Sequence, residues 1–128
     1  MTTDGTIRLR LRDLTTLDRW ELAQALADSD PEFEERTVAT GAHGDLTTLM
    51  LTVALSAVAL RGLVIWISRN RRSGSFTREV EIIEPDGTVR RERVVVHLHS
   101  ATTDAEVTRA VGEALRLDTS IIDEALGR

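Results

Sequence analysis

Apolar and polar residues alternate at the start of the chain. Over Gly5 to Arg12, arginines at every second position alternate with Ile7, Leu9 and Leu11. This period of two predicts a strand with one buried face. After Thr15 or Thr16 as N-cap, the apolar residues change to helical spacing, at Leu17, Trp20, Leu22, Ala23 and Leu26. We predict a helix that packs on the first strand and ends at Asp28 to Pro31.

A weaker strand pattern follows. Glu35 to Gly41 predicts a second strand, which would complete a right-handed crossover unit with the first. The acidic residues around its start lack the register and central glycine of a calcium loop, so we interpret them as a solvated connection: Asp28, Asp30, Glu32, Glu34 and Glu35. Gly41 to Asp45 is predicted as a loop, with Asp45 as the N-cap of the next helix.

The strongest signal is an apolar run from Leu46 to Ile67, LTTLMLTVALSAVALRGLVIWI, in which Arg61 is the only formal charge. We interpret it as the long central helix of a two-layer domain, apolar on all sides and continuing to about Asn70. On a helical wheel its small side chains form one stripe that would let a sheet or a backbone approach closely: Thr48, Thr52, Ser56, Ala59 and Gly62.

Three environments for this run are open. It would be a core helix within the fold, an oligomer core against copies of itself, or an inner-membrane anchor followed by basic residues at Arg69, Arg71 and Arg72. A membrane span would separate the early strands from the later hairpin, so burial by protein is favoured. Because a two-layer domain covers only part of each helix, surplus apolar surface would mark an interface. This predicts a homo-oligomer or docking on a larger protein.

The second half of the chain predicts a hairpin and two helices. Alternating runs flank the turn Pro85-Asp86-Gly87. Thr102 or Thr103 caps a helix through Leu115, and Ile121 to Leu126 forms a short terminal helix. The predicted fold is α+β, with a two-layer mixed sheet of about four strands in the order β-α-β-α-β-β-α. It is a single domain over residues 1–128, with a core at 5–117 and a helical tail at 118–128.

Composition limits the classes of function. The 128 residues carry a formal charge of −5, which argues against nucleic-acid binding because that affinity comes chiefly from basic surface. There is no cysteine, so disulfides, thiolate chemistry and cysteine-bound zinc are excluded. Every basic residue is arginine, which removes lysine nucleophiles and leaves cations suited to planar, bidentate partners.

No catalytic or cofactor site is predicted. The sequence contains no Walker loop, HExxH or GxGxxG pattern, and we expect no enzyme activity, no cofactor and no metal. His97 and His99 would share one strand face, a spacing found among metal ligands, but no placed carboxylate accompanies them. The arginines of the first strand could hold an acidic ligand. We favour a cross-strand ladder with Glu79 and Glu81.

Several short motifs, in this order, resemble the bacterial effector-associated constant component family. They are the RLRL strand, the helix with Trp20 leading into DPEF at Asp30 to Phe33, the apolar run with arginines after it, and PDG at Pro85 to Gly87. The resemblance covers most of Thr6 to Leu117. The chain departs from the family pattern in the loop GAHGD before the apolar run and in its tail from Asp118.

The resemblance implies a non-enzymatic component of bacterial conflict or antiviral systems. Such proteins are encoded with effectors, such as caspase-like or trypsin-like peptidases, and would couple a trigger to them. It supplies no catalytic residues. We expect a cytoplasmic protein that acts by docking or self-assembly. The residues predicted for the interface lie on the central helix and on the later hairpin strand: Thr52, Ser56, Ala59, Gly62, Trp66, Val95, His97 and His99.

Overall fold

The computed structural model of the protein describes residues 6–39, 45–69, 74–98 and 102–127. Within these ranges the strands are β1 (Arg8–Leu14), β2 (Glu32–Ala39), β3 (Asp45–Ala54), β4 (Ser75–Ile83) and β5 (Val89–His97). The helices are α1 (Thr16–Ala25), α2 (Ala57–Ser68), α3 (Asp104–Ala114) and α4 (Thr119–Ala125), and a short 3-10 helix occupies Ala27–Ser29. The α+β class is confirmed.

The strands form one sheet in the order β2-β3-β1-β4-β5, and every neighbouring pair is antiparallel. The sheet therefore has five strands where about four were predicted, and it is antiparallel where a mixed sheet was predicted. β1 and β2 run in the same direction, but β3 lies between them. β2 begins at Glu32, so part of the acidic segment interpreted as a connection belongs to an edge strand.

The prediction of one long helix after Asp45 is wrong. The first part of the apolar run is β3, and a separate helix, α2, starts after Ser56. In β3 the buried side chains of Leu49, Leu51 and Val53 alternate with less buried neighbours, which is the period of a strand. The Oγ of Ser56 accepts a hydrogen bond from the backbone N–H of Ala59 at 3.2 Å, so Ser56 is the N-cap of α2.

This division also bears on the hypothesis of a membrane anchor through residues 46–67. That hypothesis needs a single helix over the whole run, whereas residues 46–54 lie in β3, hydrogen-bonded between β2 and β1. In the described parts of the chain, no helix has both the length and the apolarity needed to cross a membrane.

The helices pack on one face of the sheet. Facing them are buried side chains from four strands, among them Leu9, Leu11, Leu51, Val53, Val80, Ile82, Val94 and Val96. α2 contacts α1, α3 and α4. The ring of Trp66 in α2 meets the ring of Phe76 in β4 edge to face, at 5.4 Å between centroids. The core therefore lies between α2 and the middle of the sheet.

The predicted hairpin and the caps predicted for the first and third helices are confirmed, whereas Asp45, predicted as the cap of the second helix, is the first residue of β3. β4 and β5 pair over their whole length, and Asp86 in the turn accepts a hydrogen bond from the backbone N–H of Thr88 at 2.8 Å. Hydrogen bonds with Thr88 lower the pKa of the Asp86 carboxyl. Thr15 and Thr103 are the N-caps of α1 and α3. These elements have strong local signals in the sequence.

Two arginines from other elements bind the C-termini of α3 and α4, whose own last turns contain no basic residue. Arg61 in α2 donates to the carbonyl oxygens of Glu124 at 2.7 Å and Ala125 at 3.1 Å. Arg90 in β5 donates to the carbonyl oxygen of Leu115 at 2.9 Å. Carbonyl oxygens in the last turn carry the negative partial charge of the helix and have room for further donors, and that of Glu124 also accepts from the backbone N–H of Gly127 at 3.0 Å. The single charge of the apolar run thus joins α2 to α4.

Arg90 also binds Glu84 and Glu92, with nitrogen–oxygen distances of 2.6 Å and 2.8 Å. Burial acts to lower the pKa of Arg90, but its hydrogen bonds to these two carboxylates outweigh that effect and raise the pKa. The guanidinium stays charged and connects the edge of the sheet to the end of α3.

We expect Arg61→Ala to lower the free energy of unfolding by about 1 kcal/mol, because it removes two charge-assisted hydrogen bonds at an exposed position. Urea denaturation measures the change. Arg69→Ala is the matched control. Arg69 follows the same helix, and its Nη1 lies 3.9 Å from Oε2 of Glu21, which is a weak ion pair. Equal losses for the two variants would contradict the role given to Arg61.

Candidate interaction surface

The side chains that point away from the helices form the open face of the sheet. One row crosses all five strands in register, from β2 to β5: Glu32, Thr52, Arg10, Glu81 and Arg91. Two residues further along, Glu34 pairs with Met50 at the β2 side and Glu79 pairs with Arg93 at the β5 side. In these two rows the β2 edge is therefore acidic and the β5 edge is basic.

Glu81 is the centre of the charged rows. Its Oε1 accepts a hydrogen bond from Nε of Arg12 at 2.5 Å and lies 3.8 Å from Nη1 of Arg10. Its Oε2 lies 4.0 Å from Nε of Arg91. Only 12% of the Glu81 side chain is exposed, so solvent screens this carboxylate little. The predicted ladder is confirmed for Glu81, whereas Glu79 lies beside Arg93 at 4.0 Å.

A bulge in β1 shapes one end of the open face. The pairing of β1 with β3 shifts register between Leu11 and Leu14, and Asp13 has a left-handed backbone with φ 56°. Nη1 of Arg78 donates to the carbonyl oxygen of Arg12 at 3.0 Å, and the guanidinium lies 5.7 Å from the ring centroid of Trp66. Arg78 therefore holds the irregular end of β1 against the helical layer.

Beside the bulge lies a shallow cleft of about 400 Å³. Its charged lining comprises Arg10, Arg12, Arg78 and Arg91 together with Asp13, Glu79 and Glu81. The carboxylates offset most of the positive charge. Arg12 and Arg78 already hydrogen-bond a carboxylate and a carbonyl oxygen. Arg10 and Arg91 lie 3.8 Å and 4.0 Å from Glu81, and Nε of Arg10 is buried without a hydrogen-bond partner among the described residues.

Six large apolar side chains of the described residues are exposed. They lie in pairs on three elements: Leu17 and Trp20 on α1, Val58 and Ile65 on α2, and Val89 and Val95 on β5. Trp20 is 59% exposed and Leu17 is 65% exposed, and their spacing of three residues makes them neighbours on one face of α1. The two side chains together form a small exposed apolar patch, which is a feature of interaction sites.

The sequence pattern placed Leu17 and Trp20 among the residues that pack the first helix on the sheet, which is wrong. Leu22 and Leu26 are the buried members of that set. A signal was available, since Leu17 and Leu22 are five residues apart and lie on opposite sides of a helix. One face of α1 could not bury both.

The residues predicted for the interface lie in different places. Ala59, Gly62 and Trp66 are buried inside the chain itself, so they present no surface to a partner. The stripe of small residues is divided, because Thr52 lies on the open face of β3 and Ser56 caps α2. Val95 and His97 are exposed on β5. His99 lies outside the described residues.

His97 faces Ser75 across the β4–β5 pair. Among the residues that the structure describes, no group of three or more histidines and carboxylates could hold a metal ion. The expectation that the protein binds no metal or cofactor stays a prediction.

No family model, curated protein or solved structure matches the chain. The likeness to the effector-associated constant component family therefore stays a prediction from its short motifs, and the surface described above has to be interpreted from its own chemistry.

Proposed function

We propose that the protein is a non-enzymatic adaptor of a bacterial conflict system, which couples a trigger to an effector such as a caspase-like or trypsin-like peptidase. The resemblance of its motifs supplies the biological context. The structure supplies a surface suited to protein–protein contact, which consists of paired apolar side chains on exposed helix faces and two edge strands with opposite charge.

The observation that carries the proposal is the pair Leu17 and Trp20 on the outer side of α1. Tryptophan is among the residues that contribute most to binding energy when an interface buries them, because a large apolar ring leaves water at little cost in side-chain entropy. α1 is also a rigid platform, since its capping box fixes its first turn through Thr15 and Asp18. We assign the effector to this face.

The test is a binding measurement between the protein and a catalytically inactivated peptidase encoded beside it. We expect Trp20→Ser to raise the dissociation constant roughly tenfold or more, because the variant loses the buried ring from the interface. Isothermal titration calorimetry measures the constant. The fold should persist, because Trp20 is 59% exposed and is not part of the core.

Gln24→Ser is the matched control. Gln24 is also exposed and lies one turn after Trp20 on the same side of α1. We expect its dissociation constant to stay within about threefold of the unmodified protein. The proposal is overturned if the unmodified protein binds neither a caspase-like nor a trypsin-like peptidase, or if Trp20→Ser binds as tightly as Gln24→Ser.

A further inference from the structure

The two edges of the sheet carry opposite charges at matching positions. Glu32 and Glu34 lie two residues apart on the open face of β2, and Arg91 and Arg93 lie two residues apart on the open face of β5. The register across the sheet places Glu32 in the row of Arg91. Within the described residues, β2 and β5 each pair with a neighbour on one side only.

We propose that the protein assembles head to tail, with β5 of one copy pairing with β2 of the next copy to continue the sheet. The inference goes beyond the proposed function, which concerns effector binding at α1, and it is tested separately. An edge strand offers backbone donors and acceptors to any strand that reaches it. The charges on the open face determine that the partner of β5 is the β2 strand of another copy.

The geometry repeats a relation already present inside the chain. Across the β4–β5 pair, Arg91 lies 4.0 Å from Glu81 and Arg93 lies 4.0 Å from Glu79. β2 and β5 run in the same direction within one copy, because four antiparallel pairings separate them and an even number of reversals restores the direction. A second copy that continues the sheet therefore brings its β2 alongside β5 in a parallel pair. Arg91 then lies between Glu81 and Glu32 of the next copy, and Arg93 lies between Glu79 and Glu34 of the next copy.

Pairing of like edges is disfavoured. Two antiparallel β2 strands centred on Phe33 would place Glu32 of each copy opposite Glu34 of the other, and two antiparallel β5 strands centred on Glu92 would place Arg91 of each copy opposite Arg93 of the other. Like charges directly opposite each other destabilise a strand pair. A contact between two different edges leaves one free edge at each end, so growth continues until a ring closes or a filament forms.

The experiment is sedimentation velocity of the purified full chain at low salt over a range of concentrations, without any effector. We expect the average mass to rise with concentration beyond that of a dimer, and to fall at high salt because the Debye length shortens from ~10 Å at 0.1 M to ~3 Å at 1 M. A strictly monomeric chain at every concentration overturns the proposal. So does a closed dimer that salt leaves unchanged, which would indicate self-pairing through the apolar end of β5.

Charge exchange identifies the surfaces. Glu32→Arg with Glu34→Arg makes both edges basic, and we expect it to weaken self-association roughly tenfold or more. Both glutamates are exposed, so the fold should persist, which circular dichroism checks. Arg93→Glu changes the other edge at a side chain that is 67% exposed. Adding it to Glu34→Arg in one chain should restore assembly, since the pair keeps opposite signs.

Two variants with one exchanged edge each should also associate with each other more tightly than either associates with itself. The assignment of the two edges is contradicted if Glu32→Arg with Glu34→Arg leaves assembly unchanged. It is also contradicted if the double exchange at residues 34 and 93 does not restore assembly. Effector binding is measured separately, at concentrations where the chain is monomeric. A chain that assembles but binds no peptidase refutes the adaptor role alone, and a chain that binds a peptidase but stays monomeric refutes the assembly alone.

Discussion

Gly62→Ala is expected to lower the free energy of unfolding by about 2–3 kcal/mol. A Cβ atom on this residue of α2 would lie 2.5 Å from the carbonyl oxygen of Ala25 and 2.7 Å from Cδ2 of Leu26. The nearest atom is the backbone carbonyl oxygen of Ala25, the last residue of α1, which cannot turn aside by a change of rotamer as a side chain can. Alanine is the better helix former by about 1 kcal/mol, but that gain does not offset the overlap. Urea denaturation measures the loss.

Gly112→Ala is the control for this prediction. Gly112 lies in the interior of α3, and a Cβ atom there would lie 2.6 Å and 2.7 Å from the side-chain atoms Cγ1 and Cδ1 of Ile122. A side chain can change rotamer where a backbone carbonyl cannot, so we expect a change within about 1 kcal/mol after the gain in helix propensity. If Gly62→Ala were as stable as Gly112→Ala, the close packing of α1 on α2 would be refuted.

Glu81→Gln is the second substitution with a large expected effect, a loss of about 2 kcal/mol in the free energy of unfolding. The change keeps the size of the side chain but removes its negative charge from among Arg10, Arg12 and Arg91. The three guanidiniums would then repel one another without a carboxylate between them. Because these arginines are partly exposed, solvent screens part of the repulsion, and the loss stays below that of a fully buried pair.

Glu79→Gln tests whether position or charge alone decides this result. Glu79 lies on the same face of the same strand, but 73% of its side chain is exposed and its distance to Arg93 is 4.0 Å. We expect a loss of less than about 0.5 kcal/mol. Both variants should be compared in urea at low salt. Equal losses would show that Glu81 has no special part in the sheet.

The two proposals use different surfaces of the protein. The effector is assigned to the outer side of α1, where Leu17 and Trp20 are exposed, whereas self-assembly is assigned to the edges of the sheet at β2 and β5. Because a contact between sheet edges does not require the outer side of α1, a row of copies would present Trp20 repeatedly. Such repetition would raise the effective concentration of effectors bound along the row.

Several elements could be predicted from the sequence because short segments determine them. The alternation of Leu9 and Leu11 with arginines predicts β1, and alternating runs on either side of Asp86-Gly87 predict the hairpin of β4 and β5. Thr15 and Thr103 cap their helices through hydrogen bonds to backbone groups three residues later. In each of these elements, side-chain periodicity or capping acts over a few residues, so no distant contact is needed to recognise it.

The predicted interface stays a prediction, but the exposure of its residues could be predicted in part. Val95 and His97 are exposed as a docking surface requires, and Glu81 forms the ladder expected with the first strand. The exposure of Trp20 was missed because helical spacing shows which residues share a face and does not show which face meets the sheet. The opposite charges of the two edges could not be predicted, because the assignment of Glu32 to a strand depends on its pairing with Thr52 in β3.

The sequence by itself determined the α+β class, the first strand, the hairpin and the caps of two helices. Only the tertiary structure decided that residues 45–54 form a strand. Leucine, methionine and alanine there suit a helix, while threonine and valine suit a strand, so local preference is divided. Hydrogen bonds to β2 on one side and β1 on the other decide the outcome, because they satisfy the backbone of a segment whose alternate side chains fill the core.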